Sequence, residues 1–432
     1  MPECLKKAKE KPVEDMRAVQ DTVRGILEKV RTEGESAVRY YSEKFDQWSP
    51  TNFKISPDEI RAAKRQLPPS EVADIDFCQA QIRNFAQEQM KRLVGFEVET
   101  LPGVHLGQKI IPVASSGAYV PGGRYPMLAS AHMTVITPKV AGVGRVVACS
   151  PPVKSQGMWP ATLYSMAAAG ADEIYCMGGV HGLAALAYGM EGLPPVDLVV
   201  GAGNKYVAEA KKQLFGATGI DLLAGPTEIL VIADDTADPL VVAADLLGQA
   251  EHDPNARQCF IALSRTIAEK TLKELDRQLA VLPTRDIAGV AWRDNGEVMV
   301  ADSPEEAVKL SDEWAPEHLE IQTQDWKYYL DRCRNYGSVF LGEETTVAYG
   351  DKTIGTNHVL PTMRAARYTG GLSVGKFVKT VTYQYATKEA SYKIADVCER
   401  ACNYENMLAH GISCKVRKDK YANLAAAAST PA

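Results

Sequence analysis

A chain of 432 residues is longer than one ordinary domain, so two or more packed units are expected. Its 46% hydrophobic and 24% charged residues are globular composition and exclude a largely disordered protein. A formal net charge of −6 argues against a nucleic-acid binder, yet excludes no small anionic substrate, which a local pair of arginines can hold.

The basic opening stretch Met1–Lys11 lacks the apolar run of a secretory signal, and residues 1–20 read as an N-terminal extension. Apolar residues at helical spacing (Val23, Ile26, Leu27, Val30) predict helix from Val19 to Phe45, interrupted at Gly34. Pro68-Pro69 precedes a second predicted helix, Ser70–Arg92, so the first hundred residues read as helical. From about Pro112, short β-rich runs alternate with helical patterns. They are Arg145–Ser150, Glu173–Met177, Val196–Val200, Ile229–Ala233, Cys259–Leu263 and Ser338–Leu341, with a helix over Ile267–Leu279 among them. Such alternation implies βαβ units and a largely parallel sheet, an α/β fold. The last sixty residues read as helix ending in a small-residue tail. No run of eighteen apolar residues predicts a membrane span. The nine cysteines are scattered without metal-binding CxxC spacing, Cys398 and Cys402 being the closest pair. They read as reduced thiols of a soluble cytoplasmic protein.

Five segments carry candidate chemistry. Gly201-Ala-Gly203-Asn204 follows a strand and opens a helix, where exposed amides can receive a phosphate, but Tyr206 stands where a third glycine would complete a dinucleotide fingerprint. Gln249 and His252 are three apart and share a helix face, so both can reach one metal; a solvated helix end is the commoner outcome for such a pair. Glu317-His318 after Pro316 suits acid–base work, but on local grounds a helix start, with Pro316 at its first position, is the better reading. The loop from Tyr349 to Thr362 crowds Asp351, Asn357 and His358 among glycines, more ligand-capable groups than a plain turn carries. Glu405 and His410 lie five apart on a predicted helix, a pair that by itself reads as a solvated helix face more readily than as a site.

Taken together, Val120-Pro-Gly-Gly123, Gly201–Asn204, Ala224–Asp234, Asp245–His252, Ala315–Glu320, Asn357–Thr362 and Gly371–Val374 resemble the histidinol dehydrogenase family in order and spacing over nearly the whole chain. The resemblance implies two incomplete Rossmann-like parallel-sheet domains with helical N- and C-terminal extensions. One spans residues 21–117 plus 228–370 and bears the metal and catalytic groups. The other, 118–227, binds NAD, and 371–432 forms a dimerisation segment. It implies a catalytic zinc held by Gln249, His252, Asp351 and His410, with His410 donated by the partner of an obligate homodimer with exchanged C-terminal segments. Glu317 and His318 match the catalytic pair. Tyr119, His181 and Asn204 match cofactor contacts, although His181 stands where the family has glutamine. The implied reaction takes a primary alcohol to a carboxylate in two hydride transfers to NAD, with His318 as base and Glu317 helping to activate water.

Several positions depart from the histidinol-oxidising pattern. Thr227 replaces a substrate-contacting serine, Met363-Arg364 replaces a Gly-Gly-like pair, and Lys376 stands where an acid is common. Arg124 follows the Val-Pro-Gly-Gly motif. This set resembles the sulfopropanediol 3-dehydrogenase branch, whose substrate is 2,3-dihydroxypropane-1-sulfonate and whose product is 3-sulfolactate. The implied substrate pocket gathers Thr227, Gln249, His252, His318, Asp351, His358, Glu405 and His410, with Arg364 and Arg124 as candidates for the anion. Arginine binds an oxyanion through paired hydrogen bonds and repels a cationic alcohol such as histidinol. Glu405, matching the acid that contacts the imidazole of histidinol, is retained, which keeps histidinol as the alternative substrate. A catalytically silent binding homologue is a third reading, disfavoured because all four matched ligands and the Glu–His pair are present.

Overall fold

A computed structural model describes residues 2–9, 15–122, 125–153 and 156–428, with side chains as far as 422. In chain order it opens with strand β1 (Glu3–Lys6), then helices α1 (Arg17–Glu33), α2 (Glu35–Tyr41), α3 (Pro57–Arg65) and α4 (Pro69–Lys91). A β-hairpin follows, β2 (Phe96–Leu101) and β3 (Val104–Pro112). The first sheet region runs β4 (Ser115–Tyr119), α5 (Leu128–Ala141), β5 (Arg145–Ser150), α6 (Pro160–Ala169), β6 (Glu173–Cys176), α7 (Gly179–Tyr188), β7 (Leu198–Val200), α8 (Lys205–Leu214) and β8 (Gly219–Ile220). The second runs β9 (Glu228–Ala233), α9 (Pro239–Ala250), β10 (Arg257–Ala262), α10 (Arg265–Val281), α11 (Arg285–Asn295), β11 (Gly296–Val300), α12 (Pro304–Trp314), β12 (His318–Gln322), α13 (Trp326–Leu330), β13 (Ser338–Leu341) and α14 (Val347–Lys352). The chain closes with β14 (Val378–Ala386), α15 (Lys388–Tyr404) and α16 (Leu408–Ala428).

Local sequence explains most of these elements. Val19, Val23, Ile26, Leu27 and Val30 form the buried stripe of α1, which stops at Gly34, where φ is +60°. Ser56 and Glu59 make a reciprocal capping box at the start of α3. Every residue of β9 is buried, as expected of a central parallel strand covered on both faces.

The two parallel sheets share one topology. The first is ordered β6-β5-β4-β7-β8, the second β1-β11-β10-β9-β12-β13. Counted from the first strand of each, both read 3-2-1-4-5, the Rossmann order without its sixth strand. In the second sheet, β1 adds an antiparallel edge strand against β11.

The chain divides into two compact units: Met1–Met90 with Val113–Phe377, and Lys91–Pro112 with Val378–Ala432. The second unit is an antiparallel sheet, β14-β3-β2, plus the α15–α16 pair. Its only buried hydrophobic residues among those described are Ala390 and Ala395.

Two sequence expectations are corrected here. Residues 96–112 form a hairpin rather than helix; the alternation Phe96-Glu97-Val98-Glu99 carries the strand period. The last sixty residues open on strand β14, whose Val378-Lys-Thr-Val-Thr-Tyr run is rich in β-branched and aromatic residues. No described helix is long and apolar enough to cross a membrane.

Candidate active site

In a sheet of order 3-2-1-4-5 the crevice for a ligand opens between strands 1 and 4, beyond their carboxyl ends. For the first sheet those strands are β4 and β7, ending at Tyr119 and just before Gly201. Gly201 has φ +122°, and a Cβ there would lie 2.1 Å from the Tyr119 carbonyl oxygen, so the turn requires glycine. Both backbone groups of Gly201 are gripped by a fully buried ion pair. Its N–H donates to Asp221 Oδ2 at 2.9 Å, and its carbonyl accepts from Lys211 Nζ at 2.7 Å. Lys211 and Asp221 are themselves paired. This clamp fixes the turn leading to Asn204, the N-cap of α8, whose side-chain oxygen accepts from Tyr206 N and Val207 N at 3.0 and 3.2 Å. The Tyr119 hydroxyl accepts from Gly179 N at 3.3 Å, at the start of α7. His181, buried in that helix, lies with Nε2 3.3 Å from Asp46 Oδ2, a neighbour the sequence did not reveal.

The second cluster lies at the amino ends of β9 and β12, which are adjacent in the other sheet, His318 pairing in register with Ile229. Parallel pairing therefore brings Thr227-Glu228 beside Glu317-His318. The local sequence around Glu317 and His318 predicts a helix start; they instead precede and begin a strand, the chain turning at Ala315 with φ +52°. Glu317 Oε2 accepts from the Thr227 hydroxyl at 2.6 Å and from Glu228 N at 2.9 Å. Burial pushes the Glu317 carboxyl well above the usual carboxylate range, so it can hold a proton nearer neutrality.

His318 Nδ1 lies 2.8 Å from the Glu228 carbonyl oxygen. A carbonyl only accepts, so Nδ1 carries the proton and Nε2 presents a lone pair. That Nε2 is buried, has no hydrogen-bond partner, and faces Asp351 Oδ1 at 3.8 Å. Desolvation lowers the His318 pKa and keeps the ring neutral. Asp351, on α14, also approaches His358 Nδ1 at 4.0 Å and is close enough to His252 to act on its charge. His252 is solvent-accessible, although its surroundings desolvate the ring enough to lower its pKa. His358 Nε2 is 3.1 Å from the Ser130 hydroxyl, and burial lowers its pKa to about 4. Gln249, in the last turn of α9, donates its amide to the Thr227 hydroxyl, leaving the amide oxygen as the atom free for a cation.

The first unit thus gathers Gln249, His252, Asp351, His318, Glu317, Thr227 and His358. His410 and Glu405 belong to the second unit and are exposed. They do not share one helix as the sequence suggested. Glu405 caps α15, and a turn through Asn406 at φ +57° precedes His410 in α16. Arg124 lies outside the described residues. Arg364 is exposed and makes no ion pair among the described residues, whereas Lys376 turns its amine to the Thr369 hydroxyl at 2.9 Å. Met363 and Arg364 both have left-handed backbone, φ +54° and +66°, which explains why glycines suit these positions and costs roughly 1–2 kcal/mol per side chain. The flanking Thr362 hydroxyl accepts from Gly225 N at 2.6 Å, anchoring this segment on the loop that leads to Thr227.

Sequence reasoning missed Glu228, whose carbonyl sets the His318 tautomer and whose buried carboxylate pairs with Arg257 at 3.0 Å. It also missed Ser130 beside His358. An acid inside an apolar strand, as in Glu228-Ile-Leu-Val-Ile, was the available signal for the first; nothing local marks Ser130.

The donor set fits zinc. An amide oxygen, imidazoles and a carboxylate form a borderline-hard group; the Gln249 amide oxygen is left free, and Asp351 is close enough to His252 to act on its charge. The open switch point of the first sheet, with its glycine turn and capped helix, fits a dinucleotide.

A match to the histidinol dehydrogenase family model covers residues 9–418. A histidinol dehydrogenase homolog of Shouchella clausii is 52% identical over 93% of this chain and 95% of its own length. The sulfopropanediol 3-dehydrogenase of Ruegeria pomeroyi is 47% identical over 97% of both chains. Among solved structures, histidinol dehydrogenase from Elizabethkingia anophelis superposes with a TM-score of 0.90 at 33% identity, covering 96% of this chain and 94% of that one. The chain belongs to the histidinol dehydrogenase family, a family of dehydrogenases.

Proposed function

We propose that this protein is a zinc-dependent, NAD-linked dehydrogenase that oxidises the primary alcohol of 2,3-dihydroxypropane-1-sulfonate to the carboxylate of 3-sulfolactate. The observation that carries the dehydrogenase reading is the neutral His318. Its Nδ1 proton is committed to the Glu228 carbonyl, with the high-pKa Glu317 carboxyl 3.5 Å from that nitrogen, and its free Nε2 stands beside Asp351. When bound, zinc would be held by Gln249, His252 and Asp351 with His410 and would polarise a substrate oxygen, while NAD accepts a hydride in each oxidation.

The chain's own residues supply the proton chemistry. His318 takes the hydroxyl proton at Nε2 as hydride leaves the carbinol carbon, giving the aldehyde. Water then adds to the aldehyde, Glu317 drawing off its proton, and the hydrate loses a second hydride as the base takes its hydroxyl proton, giving the carboxylate. One alcohol, one water and two NAD⁺ become one carboxylate, two NADH and three protons. Thr227, bonded to both Gln249 and Glu317, holds the metal-side amide and the acid in register.

The sulfonate is favoured by the exposed guanidinium of Arg364, free of ion pairs among the described residues, on its left-handed segment, a strained backbone held beside the site. The 47% identity to a sulfopropanediol 3-dehydrogenase supports the same choice. Histidinol is the second reading, favoured by Glu405. The test compares NAD reduction with dihydroxypropanesulfonate and with histidinol, in the parent enzyme and in Arg364→Ala. The parent is expected to prefer the sulfonate by roughly 10²-fold or more in kcat/KM, and Arg364→Ala to lose most of that preference. Efficient turnover of histidinol with none of the sulfonate would return the protein to the histidinol reaction.

Assembly as a homodimer with exchanged C-terminal segments completes the proposal. The second unit leaves Val397 63%, Leu408 60%, Ile412 62% and Tyr404 82% exposed while burying, among the described residues, only two alanines as apolar core. Such a surface needs a covering. Mixing the inactive variants His252→Ala and His410→Ala is expected to restore part of the activity, since a hybrid dimer regains one intact site. No recovery after verified subunit exchange would assign all ligands to one chain.

A further inference from the structure

We infer that the α15–α16 hairpin carries a second metal site, a three-thiolate site for a thiophilic d10 cation such as Zn²⁺, formed by Cys398, Cys402 and Cys414. The three sulfurs all lie within 4.8 Å of one another, and they are the only such group of three or more His, Cys, Asp or Glu among the described residues. Zn–S bonds of about 2.3 Å at tetrahedral angles place sulfurs about 3.8 Å apart, so closing around an ion takes only small side-chain movements.

The sequence conceals this site, because no CxxC pair occurs. Cys398 and Cys402 are one helical turn apart on the same face of α15. The turn at Asn406 then folds α16 back, with Met407 N donating to the Cys402 carbonyl at 2.8 Å. Gly411 lets the helices approach: a Cβ there would lie 3.6 Å from the Cys402 Cβ and 3.2 Å from Asn403 Oδ1. Cys414 lies one turn beyond, opposite the α15 pair. All three thiols are free, and Cys398 is exposed, giving an ion a path in and leaving the fourth position to water.

The unit gains from such a staple. With Ala390 and Ala395 as its only buried hydrophobic residues among those described, it shows almost no apolar core of its own, the situation in which small folds use a structural metal. Soft thiolates select Zn²⁺ or its congener Cd²⁺ over hard cations. Binding displaces thiol protons to solvent and involves no oxidation.

The test uses the full-length protein, reduced, stripped of metal, and titrated with Cd²⁺ alone. Thiol counting first verifies all nine cysteines in the reduced form. The wild type is expected to develop the ultraviolet thiolate-to-Cd²⁺ charge-transfer absorption, with the amplitude of one thiolate-bound Cd²⁺ per chain and complete by two added equivalents, since the catalytic site takes one without absorbing. Nitrogen and oxygen ligands such as Gln249, His252 and Asp351 give no such band, so the catalytic metal does not interfere. Cys398→Ser/Cys402→Ser/Cys414→Ser is expected to lose the band and keep alcohol turnover. Cys398→Ser, at an exposed position, serves the same purpose if the triple variant fails to fold. No band in the reduced wild type, an undiminished band in a folded variant, or a Cys402–Cys414 disulfide in the protein as isolated would overturn the site.

Discussion

Replacing His318 by asparagine is expected to lower turnover by roughly 10²-fold or more while leaving zinc content and NAD affinity near wild type. Asparagine is the informative choice because its amide N–H can still donate to the Glu228 carbonyl, which His318 Nδ1 engages at 2.8 Å. What it lacks is a basic atom in place of Nε2, the buried and unpartnered nitrogen facing Asp351. The variant thus separates the base from the scaffold. In the wild type, burial holds the His318 pKa below its ordinary value of 6.5. The ring therefore remains neutral, and competent to take a proton, until the pH falls below that range. The acid limb of the rate profile is expected below the usual imidazole range and to be absent from His318→Asn. Stopped-flow measurement of NADH formation checks both, and turnover within a few-fold of wild type would remove His318 from the proton path.

The second large effect is structural. Lys211→Met is expected to destabilise the protein by about 3–5 kcal/mol, the usual cost of stranding one member of a buried ion pair. Lys211 and Asp221 are 1% and 5% exposed, and the carboxylate would be left without its cation. The same change frees the Gly201 carbonyl, so the turn toward Asn204 loosens and the KM for NAD rises, while kcat at saturating NAD changes little. Lys211→Met combined with Asp221→Leu is expected to recover part of the stability, because the pair is then removed rather than broken, but not the NAD affinity. Urea unfolding and NAD saturation curves read the two effects separately. A single variant as stable as wild type, with unchanged KM, would show that the clamp has no role.

Much of the chemistry was legible as residue types, because imidazoles, carboxylates and a glycine turn are rare and specific. Gln249, His252, Glu317, His318 and Asp351 were all singled out from local patterns. Their conformations were less legible. Pro316-Glu317-His318 has the local chemistry of a helix start, yet it enters strand β12, since pairing with β9 and β13 outweighs local preference. Glu228 lies just ahead of the strand predicted over Ile229–Ala233, and only the neighbouring strand shows that its carbonyl fixes an imidazole.

The sequence by itself determined the alternation of strands and helices, the parallel α/β class, the buried stripe of α1 and the glycine at 201. Each depends on periodicity or on a backbone conformation that one residue type alone adopts. Tertiary structure alone decided which distant segments meet. It set Thr227 against Glu317, Lys211 against Asp221, and His358 against Ser130, pairs separated by 90, 10 and 228 positions. It also gathered Cys398, Cys402 and Cys414 from two helices, where the chain order offers no metal spacing. Such contacts follow from strand order and helix packing, which one-dimensional patterns constrain only by class, so a residue's partner emerges only when the sheets are assembled.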